Sequence, residues 1–255
     1  MNIDRVDLSN ISRHPIPGYL ITKQAGRARG GVLVLHPYGG SKEHMLGLSA
    51  ALAEAGWAAL AVDLCGHGEN TYEIGPGMMD EMEAALSYLR RFGSTAAVGI
   101  SLGGRLALMS SADSMVAISP AVVVEMSPQG KWMFENFPSP GIREPYPGYV
   151  VKLLDELGPV KGHSRPCLLL YAERDIPAIM TGAEGLKAAL PGAEVRYISK
   201  DIRPDIQHEN GFIRYLPRWF NHGELKFNAE VLHTTTQWLA QPRPAEQQAG
   251  AGARP

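Results

Sequence analysis

Short apolar runs alternate with amphipathic stretches along most of this chain. Continuously apolar segments, such as residues 31–35 and 57–62, are typical of strands that are buried on both faces. Between such runs, apolar side chains recur at helical spacing, as at Met82, Leu86 and Leu89. The alternation predicts an α/β fold, with a mostly parallel, doubly wound sheet and helices on both of its faces.

The same patterns place the remaining elements. Further strands are predicted at residues 19–22, 95–98, 115–119, 167–171 and 194–198. Helices are predicted at about 78–91, 105–109, 148–157, 182–190 and 228–240, and one that has Met45, Leu48 and Leu52 on one face is stopped by Gly56. Residues 1–30 have the pattern of short β segments that turns interrupt. We therefore predict a single domain over residues 1–241, followed by a Pro- and Ala/Gly-rich tail at 242–255 whose composition is typical of disorder.

Residues 123–165 interrupt this rhythm and form a predicted insertion. Its many prolines disfavour regular core structure. Two interpretations stay open: a surface excursion whose aromatic side chains pack on the body, and a small lid that gives a substrate pocket an apolar wall. In the second case the candidate pocket residues are Tyr38, Trp132, Phe134, Phe137 and Tyr146.

The clearest chemical signal is the segment Gly99-Ile100-Ser101-Leu102-Gly103, which follows a predicted strand and precedes a predicted helix. A Gly-x-Ser-x-Gly string in this context is typical of a nucleophile elbow. The turn is tight and strains the serine backbone, and glycines on both sides remove side chains that would clash. The segment therefore predicts a catalytic serine, Ser101, whose hydroxyl stands at the tip of the turn.

A serine hydroxyl needs a base, and the base needs an acid that orients it. In an open parallel sheet such groups lie just past the carboxyl ends of the strands. Asp175, four residues beyond the predicted strand 167–171, fits the acid best, with Glu173 and Asp201 as alternatives.

Three histidines need an interpretation. His208 lies between the last strand and the last helix and is the predicted base, which gives the chain order serine, acid, histidine expected for this topology. His222 lies in the same region, but its position beside the final helix is also that of a surface turn residue. His67, in a Gly-rich turn, is interpreted as a hydrogen-bonded loop residue.

An oxyanion hole requires two backbone N–H groups that point at one place. Leu102, which follows the candidate nucleophile, is expected to supply one of them. The other is expected from the turn after the first long strand, where Pro37 has no N–H and Tyr38 is the best donor. The alternatives are that Gly39 or Gly40 is the donor, or that Tyr38 only packs against the site.

Bulk properties narrow the function further. The formal net charge is −2 over 255 residues, which gives no electrostatic case for nucleic acid or an anionic membrane. No apolar run is long enough to cross a bilayer, and the N-terminus lacks a signal-peptide pattern. The two cysteines, Cys65 and Cys167, require no disulfide, so a cytoplasmic location is predicted. No metal-ligand spacing occurs, and we expect neither a metal nor another cofactor.

Over residues 20–240 the chain resembles α/β-hydrolases. The resemblance lies in residues 36–40 (His-Pro-Tyr-Gly-Gly), 63–68 (Asp-Leu-Cys-Gly-His-Gly), 99–104, Asp175, and His208 followed by Gly211-Phe212. Its small size and Ser-Leu-Gly-Gly elbow look most like the dienelactone-hydrolase and small-esterase branch. Dienelactone hydrolases have a cysteine at the position of Ser101, and the usual His-Gly is here His36-Pro37. The resemblance therefore implies a serine esterase.

The predicted function is hydrolysis of a carboxylic ester, or a related acyl bond, of a small-to-medium apolar substrate through an acyl-enzyme. Acyl transfer, thioesterase activity, and carbon–carbon bond hydrolysis or lyase chemistry are alternatives on the same fold. A non-catalytic ligand-binding protein on this scaffold is the alternative from another class. The sequence leaves open whether the protein is a monomer or a homodimer.

Overall fold

The computed structural model describes residues 1–12, 14–24, 26–123, 125–173, 175–198, 222 and 225–241. Within these ranges the strands are β1 (Asn2–Asp7), β2 (Pro17–Thr22), β3 (Gly31–Leu35), β4 (Ala58–Val62), β5 (Thr95–Ile100), β6 (Ser114–Ile118), β7 (Cys167–Ala172) and β8 (Glu194–Ile198). The α-helices are α1 (Leu46–Glu54), α2 (Met78–Leu89), α3 (Leu102–Met109), α4 (Pro128–Asn136), α5 (Tyr149–Glu156), α6 (Pro177–Ala189) and α7 (Ala229–Ala240).

The described strands form one sheet in the order β1-β2-β4-β3-β5-β6-β7-β8. Strand β2 pairs antiparallel with β1 and with β4, and each pairing from β4 through β3 to β8 is parallel. Parallel strands place their carboxyl ends along one edge, where functional groups of such sheets collect. The predicted mostly parallel sheet is confirmed.

Both faces of the sheet are buried, which explains the continuously apolar strands. On β3, Leu33 and Leu35 belong to a core shared with α2, α3 and α6, whereas Val32 and Val34 belong to a second core shared with α1 and α7. Successive side chains of a strand point to opposite faces, so each apolar run supplies both cores. The predicted double winding of helices on both faces is therefore confirmed.

The insertion differs from its prediction in one respect. It contains α4, which the sequence pattern did not predict, and none of the residues of α4 is buried. Pro128 starts this helix, where a missing N–H costs nothing, and the Ser127 hydroxyl accepts a hydrogen bond from Gly130 N at 3.1 Å. Helix α6 likewise begins at Pro177, five residues before the predicted start at 182.

No α-helix in the described part of the chain is long and apolar enough to cross a membrane. The predicted tail at 242–255 lies outside the described residues.

Candidate active site

Ser101 joins β5 to α3 in a strained backbone conformation, with φ 54° and ψ −113°. Its N–H donates to the Ile118 carbonyl at 2.9 Å, and its carbonyl accepts from Arg105 N at 3.0 Å and Ala121 N at 2.8 Å. Positive φ is uncommon for a residue with a side chain and persists where surrounding contacts fix it. Ser101 as a whole residue is partly exposed. This geometry is the one predicted from the Gly-x-Ser-x-Gly segment.

The flanking glycines are required by close backbone approaches. A Cβ atom on Gly99 would overlap the Gly103 carbonyl, and a Cβ atom on Gly103 would overlap the Leu35 carbonyl. Glycine at both positions lets α3 start directly against β5 and beside the end of β3.

Asp175 lies just past the end of β7, two strands along the sheet from β5. It is 1% exposed, and each of its carboxylate oxygens is hydrogen-bonded. Oδ1 accepts from Ile176 N at 2.7 Å and from His222 Nδ1 at 2.9 Å, while Oδ2 accepts from the Ser119 hydroxyl. The predicted acid is thus a buried carboxylate that contacts a histidine.

That histidine is His222, which is 7% exposed. The interpretation of His222 as a surface turn residue is therefore wrong. His208, the predicted base, lies outside the described residues. Because the carboxylate accepts at Nδ1, the neutral ring carries its proton on Nδ1 and leaves the lone pair on Nε2.

The charge of Asp175 is stabilised by its partners. Burial alone would raise the pKa of this carboxyl, but the hydrogen bond and charge attraction of His222, with the bonds from Ser119 and Ile176 N, lower it below its ordinary value. Asp175 is therefore ionised at neutral pH.

Ser119 was missed by the sequence analysis. It directly follows β6, so the rule that selected Asp175 at a strand end would also have selected it. A serine hydroxyl at a strand end is not by itself a sign of a functional site. Ser119 becomes a candidate only through its hydrogen bond to the Asp175 carboxylate, which the sequence does not show.

The predicted oxyanion hole combines the turn after β3 with the first residue of α3. Among the described residues, no protein acceptor receives a hydrogen bond from Tyr38 N or from Leu102 N. Leu102 is the first residue of α3, where N–H groups have no partner inside the helix. The Gly40 N–H donates to the Pro37 carbonyl at 2.9 Å, so it is already used within the turn. Tyr38 and Gly39 remain as candidates beside Leu102.

The insertion contacts this turn through aromatic packing and one hydrogen bond. The Tyr38 and Phe134 rings meet edge to face with centroids 5.6 Å apart. The Tyr38 hydroxyl donates to Glu144 Oε1 at 2.9 Å. Two of the predicted pocket residues, Tyr38 and Phe134, are thus brought together.

The other three predicted pocket residues are largely exposed. Trp132 and Phe137 pair with each other at 5.4 Å between centroids and are 56% and 67% exposed. Tyr146 is 48% exposed and packs against Tyr149. None of the three is brought into contact with Tyr38 or Phe134 by a ring pairing among the described residues.

Two buried histidines lie under the Tyr38 turn, with ring centroids 4.6 Å apart. His36 Nδ1 donates to the Pro37 carbonyl at 2.8 Å, and His36 Nε2 accepts from Leu64 N at 3.2 Å. His67 Nδ1 donates to the Cys65 carbonyl at 3.0 Å, as expected for a hydrogen-bonded loop residue. Burial lowers the pKa of His36 to about 4 and that of His67 to about 3, so both rings are neutral at pH 7.

A buried ion pair joins the turns that follow β3 and β4. Lys42 Nζ lies 2.7 Å from Asp63 Oδ2, and both side chains are fully buried. The same carboxylate accepts from Lys42 N at 2.7 Å and from Glu69 N at 2.9 Å. These bonds fix the two turns relative to each other at the edge of the sheet where Ser101 lies.

Fold and site geometry together define an α/β-hydrolase fold. Est1E from Butyrivibrio proteoclasticus, solved with ferulic acid bound, superposes with a TM-score of 0.67 at 15% identity over 92% of this chain and 100% of that one. An esterase from Pyrobaculum calidifontis superposes with a TM-score of 0.62 at 19% identity, over 98% of this chain and 85% of that one. The Pyrococcus furiosus esterase Pf2001 superposes with a TM-score of 0.61 at 18% identity, over 93% of this chain and 91% of that one.

At these identities the similarity shows the fold. No protein-family model matches the chain, and no curated protein matches its sequence.

Proposed function

We propose that the protein is a serine hydrolase that cleaves carboxylic esters, or related acyl bonds, of small-to-medium apolar substrates. The observation that carries the proposal is the buried Asp175–His222 hydrogen bond past β7, on the same sheet edge as the strained Ser101 past β5. Nucleophilic acyl chemistry needs a serine nucleophile and a histidine base that a carboxylate orients. The esterases among the structural neighbours support the same reaction class.

In the proposed reaction, Ser101 Oγ attacks the substrate carbonyl carbon while its proton passes to Nε2 of His222. The N–H groups of Leu102 and Tyr38 stabilise the oxyanion that forms. The tetrahedral intermediate collapses, the carbonyl–oxygen bond to the leaving group breaks, and His222 protonates the departing alcohol. Water then attacks the acyl-enzyme with His222 as its base, releasing the acid and restoring Ser101.

We assign the base to His222 rather than His208 because His222 bonds the acid. The Nδ1–H that Asp175 accepts leaves Nε2 as the acceptor, which is the tautomer that a general base requires.

The nucleophile is a serine and not a thiol. Burial raises the pKa of Cys65 to about 12 and that of Cys167 to about 12, so neither is a reactive thiolate near neutral pH. This argues for a serine esterase and against a dienelactone hydrolase, whose nucleophile is cysteine.

The contact between Tyr38 and Phe134 supports an apolar acyl or aryl group, because it joins the predicted oxyanion turn to the insertion. A neighbour on this fold was solved with ferulic acid, an aromatic acid. Short 4-nitrophenyl esters are therefore suitable first substrates.

The test is covalent labelling with a small fluorophosphonate, read by intact-protein mass spectrometry. In labelling, the Ser101 Oγ–phosphorus bond forms and fluoride leaves. We expect one adduct on the wild type and none on Ser101→Ala. Since removing a triad member typically costs at least three orders of magnitude in rate, His222→Ala is expected to label and to hydrolyse esters at least about 10³-fold more slowly.

His208→Ala is the matched control for the base assignment. It is expected to keep the labelling rate within about threefold of wild type. The reverse pattern, with His208→Ala inactive and His222→Ala active, would transfer the base to His208. A folded wild type that takes no label would reject the hydrolase proposal and favour a ligand-binding protein.

A further inference from the structure

Ser119 shares an unusual backbone conformation with Ser101. Among the described residues, these are the two non-glycine positions with positive φ, at 44° for Ser119 and 54° for Ser101. They are also connected, because the Ser101 N–H donates to the carbonyl of Ile118, the residue before Ser119. Positive φ costs energy for a residue with a Cβ atom, and such strain concentrates where the side chain has a role.

The Ser119 side chain is fully buried, and its hydroxyl donates to Asp175 Oδ2. Its N–H donates to the Leu170 carbonyl of β7 at 2.7 Å. Ser119 therefore makes two contacts: its backbone bonds β7, and its side chain bonds Asp175, which lies just past the end of β7. A serine in this conformation can reach the carboxylate, whereas glycine, which adopts the same backbone more easily, cannot.

The two carboxylate oxygens of Asp175 have different hydrogen-bond partners. Oδ1 accepts from His222 Nδ1 and from Ile176 N, and Oδ2 accepts from Ser119. From the sheet, the buried Tyr171 hydroxyl also feels this carboxylate: burial is the main cause that raises the pKa of Tyr171, and the charge of Asp175 raises it further. A buried carboxylate oxygen without a donor is costly, so the Ser119 hydroxyl fixes which oxygen faces the histidine.

We infer that Ser119 is a positioning residue for the proposed triad: its hydroxyl holds the Asp175 carboxylate so that Oδ1 faces His222. The inference rests on the proposed function, since it gives Ser119 a role in ester hydrolysis through Asp175. Ser119 does not touch the substrate; it acts on the acid that orients the base.

Two substitutions separate the hydroxyl from the backbone strain. Ser119→Ala removes the hydroxyl and keeps the strained φ, whereas Ser119→Gly removes the hydroxyl and relieves the strain. We expect both variants to lower kcat for a 4-nitrophenyl ester by roughly tenfold or more, with KM within about twofold of wild type. The two variants should differ in thermal stability. If they nevertheless lose kcat equally, the missing hydroxyl, which they share, is the cause of the loss, and a change in fold stability is not.

Ser110→Ala is the matched control, because Ser110 is also a buried serine whose hydroxyl donates one hydrogen bond, to the Ala107 carbonyl at 2.7 Å. It should lose stability and keep the wild-type kcat. A second readout is the downfield ¹H NMR resonance of the His222 Nδ1–H, assigned by its loss in His222→Gln. It should move in both Ser119 variants and stay in place in Ser110→Ala.

Wild-type kcat and an unmoved resonance in Ser119→Ala and Ser119→Gly would overturn the inference. The fluorophosphonate adduct on Ser101 separates this failure from a failure of the proposed function. If the wild type is labelled and the Ser119 variants are labelled equally fast, Ser119 alone loses its role. If a folded wild type takes no label, the proposed function and the positioning role fail together.

Discussion

At the scale of single residues, the site depends on positions where neighbouring backbone leaves no room for any side chain, so that only glycine fits. Gly103 is one of them, because α3 begins directly against the end of β3. The sequence analysis predicted glycines here to relieve a crowded turn. The structure adds what they approach, which for Gly103 is the carbonyls of Leu35 and His36.

Gly103→Ala should therefore destabilise the protein and remove activity. The added methyl group would overlap the backbone carbonyls of Leu35 and His36, and overpacking of this kind typically costs about 1–3 kcal/mol. Gly47→Ala in α1, where a Cβ atom meets nothing within 4 Å, is the control and should be neutral or more stable by about 0.5–1 kcal/mol. Thermal denaturation and the fluorophosphonate labelling rate measure both effects, and a fully active Gly103→Ala would contradict the prediction.

At the scale of elements, the insertion is tied to the helix that follows Ser101. The Arg105 guanidinium, on α3, donates to Leu154 O and Gly158 O at 2.6 Å each and to Ala121 O at 3.3 Å. Ala121 precedes the insertion, Leu154 lies in the last turn of α5, and Gly158 lies two residues past the end of α5. One buried side chain thus bonds both the segment just before the insertion and the later part of the insertion.

A second arginine and one glutamate attach the middle of the insertion. Arg143 Nη2 donates to Gly68 O at 2.9 Å, and Arg143 N donates to Gly66 O at 2.9 Å. Glu144 accepts from the Tyr38 hydroxyl and, at the start of α5, from Val150 N at 3.2 Å. The two interpretations of residues 123–165 are compatible, since the segment packs on the body next to the candidate site.

Arg105→Met should loosen the insertion. It leaves three carbonyls without their donor, and we expect the free energy of unfolding to fall by about 2–4 kcal/mol. Limited proteolysis should cut within residues 123–165 faster than in wild type. Arg90→Met, which removes an exposed arginine that donates to the Ser111 hydroxyl, is the control and should cost at most about 0.5 kcal/mol. Equal proteolysis of the two variants would show that Arg105 does not hold the insertion.

At the scale of the whole molecule, stability should depend on pH through the two histidines under the Tyr38 turn. Burial lowers the pKa of His36 from 6.5 to about 4 and that of His67 from 6.5 to about 3. Below pH 6.5 these two histidines therefore bind protons in the unfolded chain but stay largely neutral in the folded chain. Their contribution to stability is complete above pH 6.5 and is lost as the pH falls towards 4, at up to about 1.4 kcal/mol per pH unit for each ring.

Urea denaturation at a series of pH values between 4 and 7 measures this loss. His67→Phe keeps a ring against His36 and removes one titrating group, so its stability should fall less steeply with decreasing pH than that of wild type. Parallel curves for the two proteins would mean that His67 contributes nothing to the pH dependence.

Much of the architecture follows from local pattern alone. Strands buried on both faces have to be apolar throughout, so β3 to β7 could be recognised along the chain before their partners were known. The elbow at Ser101 is a local structure of five residues, and Asp175 follows from its distance past a strand. Helix α4 was missed because prolines obscure a helix that needs only Ser127 and Pro128 to start.

The sequence by itself determined the alternation of core strands and helices, the strained serine and the candidate acid, because each depends on neighbours in the chain. Only the tertiary structure decided which histidine meets that acid and that a serine past β6 bonds it too. Asp175 lies 47 residues from His222 and 56 from Ser119, so these contacts depend on how β6, β7 and the segment before α7 come together. A residue pattern of short range contains no information on such distances, which the packing of the sheet fixes.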